Sequence, residues 1–238
     1  ALTKKLKSFI RNLIAGVSIL DVVIRDAFGL FVRSFKKITP SGDNIIIVGA
    51  DTFNKGSEAM LFVVIDEMKK RFSSKSIFLF SAYEFYGRKH KKNNFTFKVL
   101  PWELATKIKA LNIWGRLLIR NGIRGVAEKK VRAVLKKSFC IIDISGYQLS
   151  SLTGDMAALD YLLGIMVAQR YSIPYFILPQ SVGPFDFKLK YKWFLSPMMR
   201  LYLKYPLKIY IRERAGIKYL KKYKQNHIKQ SSDIVLQK

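Results

Sequence analysis

The sequence predicts a Rossmann-like α/β fold, a mainly parallel sheet with helices on both faces, and three observations predict it. Short, continuous, β-branched apolar runs recur between residues 44 and 211. Helix-length stretches with apolar residues three and four apart separate them. Glycine, proline and polar residues follow the runs. Continuous apolar strands belong to sheets buried on both faces, and alternation with helices makes such sheets parallel. Right-handed crossovers then place every loop that follows a strand along one edge, where the ligands of open sheets bind.

The elements follow in order. Residues 1–38 read as a basic amphipathic helical segment. Lys4, Lys5, Lys7 and Arg11 are interleaved with Leu6, Phe9, Ile10, Leu13 and Ile14, which stripe one helix face. Such a segment suits an anionic membrane surface or the flank of its own domain. No uncharged run is long enough to span a bilayer. Residues 39–238 read as the Rossmann-like domain. Asn44–Gly49 is a buried strand and Ser57–Phe72 a helix. Ser76–Ser81 is a second buried strand, and the alternating Phe95–Val99 a third, nearer an edge. Residues 102–137 suit two helices broken near Asn121-Gly122. Phe139–Ile144 is a strand and Asp155–Tyr171 a helix. Pro174–Leu178 is a strand, Lys190–Lys204 a helix, Leu207–Ile211 a strand and Glu213–Tyr223 a helix. A last extended piece surrounds Ile228.

Composition excludes several classes. Half of the 238 residues are hydrophobic and 25% are charged, which is globular rather than disordered. The single Cys140 leaves no disulfide framework, and two histidines, His90 and His227, leave little for a metal; none is expected. The net charge of +27, concentrated in residues 1–40, 86–137 and 188–229, attracts polyanions and anionic membranes. The chain has no zinc-finger spacing, no RNA-recognition string and no basic region feeding leucine heptads, so no specific nucleic acid is expected.

Four loops fall at the expected ligand edge. Asn54, Gly56, Ser57 and Glu58 lie where the first strand enters a helix, where free N–H groups and the helix dipole favour an anion. Capping alone also accounts for Asn54 and Ser57. Ser145-Gly146-Tyr147 permits a tight turn or a close approach to a ligand. Gln180-Ser181-Val182-Gly183-Pro184-Phe185 is stiffened by its prolines and carries polar groups just beyond a strand. Arg212 follows a strand directly, and its planar fork suits a carboxylate or phosphate; a local pair with Glu213 or a neighbouring loop is the alternative.

Together these loops resemble the polysaccharide pyruvyl transferase family, from about Asn44 to Asp233. The resemblance is carried by Asn54-x-Gly56-x-Glu58-Ala59, by Gln180–Phe185 and by Arg212-Glu213, in that order and spacing. Ser57 stands where the family often has Asp, and Ser145-Gly146-Tyr147 where a glycine pair is usual. The resemblance implies one half of a two-domain, GT-B-like enzyme. The second domain is absent from these residues, so the chain is expected to be an incomplete catalytic unit. It implies phosphoenolpyruvate as co-substrate, no cofactor, and a saccharide or lipid-linked oligosaccharide acceptor of a cell-envelope or extracellular polysaccharide. Donor binding falls to Arg212, Ser57, Gly56 and Asn54. Gly146, Tyr147, Gln180, Ser181, Gly183, Glu58 and Glu213 line the cleft loops. A cytoplasmic location, peripheral at the inner face of the membrane, goes with it. Adding a sugar hydroxyl to the enol carbon needs a proton at the methylene, and no residue stands out as the general acid. As a cleft-edge group, Arg212 is expected to govern donor affinity with little effect on stability. The alternatives are a GT-B glycosyltransferase with a sugar-nucleotide donor, or a non-enzymatic basic module for membranes or nucleic acid.

Overall fold

The computed structural model describes residues 13, 16–17, 19–26, 41–87, 95–111, 124–221, 223 and 227–237. Within them, seven strands form one sheet: β1 (Asn44–Val48), β2 (Ser76–Phe80), β3 (Lys98–Leu100), β4 (Ser138–Asp143), β5 (Tyr175–Gln180), β6 (Lys208–Ile211) and β7 (Ile228–Gln230). Their spatial order is β3-β2-β1-β4-β5-β6-β7, and every pairing is parallel. The chain therefore starts mid-sheet, builds out to β3, then crosses back to build from β4 to β7. Helical residues 19–26 (α1) precede the sheet. Helices α2 (Lys55–Arg71), α3 (Ala82–Gly87), α4 (Leu104–Leu111), α5 (Arg124–Lys136), α6 (Asp155–Arg170), α7 (Leu189–Tyr202) and α8 (Arg214–Lys221) connect the strands. A 3-10 turn, Ile234–Gln237, ends the described chain.

The two faces of β1 show why the strands read as unbroken apolar runs. Successive side chains alternate between faces. Ile46 and Val48 enter the larger cluster, built with α4, α6 and α7, and Ile45 and Ile47 enter the smaller one under α2. Each such burial contributes about 1.5–3 kcal/mol relative to exposure, so a polar residue is excluded from either face. Helix α6 is buried from Ala158 through Leu159 and again from Tyr161 to Ala168, which is why its sequence is apolar nearly all round.

Three differences from the sequence reading have local causes. The third strand begins at Lys98 rather than Phe95, because Phe95 and Phe97 stack on each other before the ladder starts. It is an edge strand, as its alternation predicted. β5 runs past Leu178 to Gln180. Pro179 has no N–H to give, the ladder skips, and pairing with β6 resumes at Gln180 opposite Ile211. The short helix α3 was not foreseen; buried Glu84 on it accepts from the Thr52 amide (2.8 Å) and hydroxyl (2.6 Å), which pins the loop after β1. The Asn121-Gly122 break, His90 and most of the 1–38 segment lie outside the described residues. In α1, Ile19 and Val22 join the larger cluster, and Tyr202 donates to Asp26 (3.1 Å).

Cys140 sits inside β4, and burial pushes its thiol up to about 12, with Lys75 acting weakly in the other direction. A thiolate is the reactive form. A colorimetric disulfide reagent at neutral pH is therefore expected to leave the native chain unlabelled and to label one thiol on unfolding. Rapid labelling of the folded chain would contradict the position of β4.

Candidate active site

The strand order reverses between β1 and β4, and at that switch point the loops that follow them touch. Gly49 has φ +80°, and a Cβ there would lie 2.7 Å from the backbone N and Cα of Ser145. Only glycine meets both conditions. The residue it makes room for, Ser145, donates from its backbone N (2.9 Å) and its hydroxyl (2.5 Å) to Asp143 Oδ1.

Asp143 ends an apolar strand and is fully buried. Its Oδ2 accepts from the Tyr175 hydroxyl at 2.6 Å. Burial pushes the Asp143 carboxyl upward, opposed in turn by the Ser145 and Tyr175 hydrogen bonds and by Lys107. Burial likewise raises Tyr161 and Tyr175, with the nearby Asp143 charge adding to it, so both stay neutral phenols. Tyr161 accepts from Gln180 Nε2 (2.9 Å), which leaves its own hydrogen to donate.

Above this floor lies a cavity of about 220 Å³, lined by Asp51, Trp102, Lys107, Asp143, Gln148 and Asp160 among others. Lys107 is buried on α4. Its Nζ donates to Asp160 Oδ2 (2.6 Å) and the Asp160 carbonyl (3.0 Å), and it stands 5.3 Å from the Trp102 ring. Gln148 Nε2 approaches the same carboxylate oxygen at 3.4 Å. Asp160 Oδ1 and Gln180 Oε1 are buried without a partner among the described residues.

The other half of the edge is organised around Arg212. Its Nη1 donates to Asp233 Oδ2 (2.5 Å), and its Nη2 to the Gly146 carbonyl (2.8 Å) and Ser181 Oγ (3.1 Å). Ser181 in turn donates to Glu213 (2.7 Å). Tyr147 donates to the Gly183 carbonyl, and the Gly183 amide donates to Leu149. Gly183 has φ +78°, and a Cβ there would run into the Tyr219 ring. Burial opposes ionisation of Asp233, but the Val235 amide and Arg212 outweigh it and hold its carboxyl below the usual range.

The residues singled out by sequence thus converge on one edge, with different degrees of freedom. Asn54 Oδ1 accepts from the Gly56 (2.9 Å) and Ser57 (3.4 Å) amides, and Ser57 Oγ accepts from Asp51. The N–H groups expected to face an anion are therefore already used for capping. Glu58 pairs with Lys55 (2.7 Å). Gln180, expected in an open loop, is the last residue of β5 and fully buried. His227 precedes β7, so it lies at the amino edge, away from the site. Sequence reasoning missed Lys107, Asp143 and Asp160. The signal was present for the two acids, each a lone carboxylate inside an apolar run. It was absent for Lys107, one of many lysines.

A family model described as polysaccharide pyruvyl transferase matches residues 54–237, most of the chain and every loop of this edge apart from the start of the first. No curated protein and no solved structure matches the chain.

Two expectations follow. Arg212 is held by three partners, so Arg212→Lys is expected to lower stability by about 1–3 kcal/mol, since lysine keeps the charge and loses the fork. This revises the expectation of a purely affinity effect; a thermal melt unchanged from wild type would restore it. For Asp143 the folded-state pKa is raised, so it binds its proton more tightly when folded. Its contribution is fully present below the ordinary carboxylate value of 3.8 and is lost as pH rises through the raised value. The stability of Asp143→Asn relative to wild type is therefore expected to increase as pH rises above that range. Denaturant melts giving a pH-independent difference would refute the raised pKa.

Proposed function

The chain belongs to the polysaccharide pyruvyl transferase family, and from that membership we propose that it moves the pyruvyl group of phosphoenolpyruvate onto a pair of hydroxyls of a saccharide. The methylene carbon gains a proton, two sugar oxygens bond to the enol carbon, and the bond from that carbon to the phosphate oxygen breaks. One hydroxyl proton ends on the new methyl group and the other on the released phosphate. The product is a cyclic ketal, and no cofactor is needed.

The observation that carries this reading is the convergence of the three motif loops on the carboxyl edge, within the residues the family model covers. The chemistry of the edge supports a division of labour. Arg212 is the donor-facing cation, reached when a carboxylate or phosphate takes the place of Asp233. The backbone N–H groups of Gly56 and Ser57 serve the same anion when the Asn54 side chain turns away. Asp143, biased toward its protonated form, is the acid within reach of the cavity.

The acceptor in this reading is a cell-envelope or extracellular polysaccharide precursor, in lipid-linked form, modified at the inner face of the membrane. Leu13, Val17, Leu20 and Ile24 support this: they are exposed and spaced four, three and four apart, in a strongly basic segment. Among the described residues, no helix is long and apolar enough to cross a membrane.

The test is product analysis. Expressed from its full reading frame, the protein is expected to release phosphate from phosphoenolpyruvate only when a glycan acceptor is present, with a ketal methyl signal appearing on the glycan by proton NMR. Consumption of a sugar nucleotide with phosphoenolpyruvate untouched would replace this reading by glycosyl transfer.

A further inference from the structure

We propose that the cavity at the carboxyl ends of β1, β2 and β4 is the subsite for one neutral sugar ring of the acceptor, held through Asp160 and Gln148. The proposal rests on the saccharide-acceptor reading above and adds which part of the edge takes the sugar, and which part does not take phosphoenolpyruvate.

Charge is the first argument. The chain carries +27, yet this cavity is lined by two carboxylates, Asp51 and Asp160, and by the buried carboxyl of Asp143, against the single ammonium of Lys107. That ammonium is already paired with the Asp160 carboxylate and also donates to the Asp160 backbone carbonyl. A phosphate or carboxylate entering here meets like charge in a poorly solvated space and finds no spare cation. A neutral ligand meets neither obstacle.

Hydrogen bonding is the second. The wall includes Asp160, whose Oδ1 is an unmet acceptor, while the Tyr161 hydroxyl and Gln148 amide supply donors. A ligand that suits this set must donate and accept at several points, as a polyol does. Buried polar groups left unpaired are costly, so such a site discriminates for hydroxyls.

Size is the third. A volume of about 220 Å³ falls below the ~300–1,000 Å³ of sites for drug-sized ligands. It has room for one sugar ring and not for a sugar nucleotide. Trp102 and Phe80, with ring centroids 5.0 Å apart, provide the apolar part of the wall against which ring C–H groups can pack.

The experiment is a titration of the ¹⁵N-labelled 238-residue chain with the methyl glycosides of glucose, galactose and mannose, without phosphoenolpyruvate. The readout is the indole resonance of Trp102, identified by its loss in Trp102→Phe. At least one glycoside is expected to shift it saturably, while the exposed Trp193 indole stays still. Phosphoenolpyruvate and inorganic phosphate are expected neither to move it nor to displace the sugar. Gln148→Leu, at the partly open rim, is expected to weaken binding at least fivefold. Asp160→Asn, checked for folding by circular dichroism, is expected to weaken it at least tenfold. The proposal is overturned if no glycoside moves Trp102 up to about 100 mM, if phosphate displaces the sugar, or if Gln148→Leu binds like wild type. Pyruvyl transfer stands or falls separately: glycoside binding without ketal formation keeps the subsite and removes the transfer, and ketal formation with a silent Trp102 does the reverse.

Discussion

The carboxyl edge of this sheet is arranged around one buried carboxylate, Asp143. A carboxylate ending an apolar strand in the middle of a two-sided sheet is unfavourable unless its oxygens are satisfied. Here they are satisfied by the turn that follows it, through the Ser145 amide and hydroxyl, and by the neighbouring strand, through Tyr175. Each partner imposes a further constraint. Ser145 can turn back onto Asp143 only where the loop after β1 yields space, and that loop yields it with Gly49. Tyr175 reaches Asp143 because β5 lies beside β4, with Ile141 opposite Tyr175 in the ladder. The geometry of the switch point is therefore tied to the chemistry of one side chain.

The loop from Ser145 to Ser151 joins this buried half to the Arg212 half. Ser145 faces Asp143, the Gly146 carbonyl receives both Arg212 and the Ser181 amide, and Tyr147 bonds the Gly183 carbonyl. A change at either half is thus transmitted through one short segment. Arg212 is the central cation of that network rather than a free probe of the cleft. Its Nε is buried with no hydrogen-bond partner among the described residues, and Glu213 lies 4.0 Å away.

The fold was legible because it depends on patterns that sequence carries locally. Ile45-Ile46-Ile47 reads as a strand buried on both faces, and the expected Asn44–Gly49 exceeds β1 by one residue, Gly49. The limit of β5 was misread because Pro179 signals a break; the ladder skips it and resumes, which only the partner strand reveals. The motif loops were found because their residue types are unusual. Their availability was not legible, since it depends on who donates to whom: Asn54 caps its own helix, and Gln180 turns inward to Tyr161. Lys107 was invisible for the opposite reason. In a chain with 43 lysines and arginines, nothing distinguishes Lys107 until α4 is laid against α6.

That contrast bears on how so basic a chain can hold an acidic cavity. At physiological ionic strength the screening length is about 8 Å, so the exposed lysines act on the encounter of an anionic partner and not on the floor of the edge. At the floor the nearest groups decide, and there the ordering is fixed by burial. Lys107 is covered and paired, Asp143 is covered and hydrogen-bonded, and Asp160 keeps one oxygen unmet. Surface charge and cavity charge therefore do different work on one sheet edge. In the proposed division, the first gathers anions at the rim, where Arg212 sits, and the second disfavours them in the cavity. On the proposed reading, an enzyme that must bring a trianionic donor to a neutral hydroxyl pair gains from that separation. The donor is drawn to the rim without competing for the cavity in which the hydroxyls are oriented.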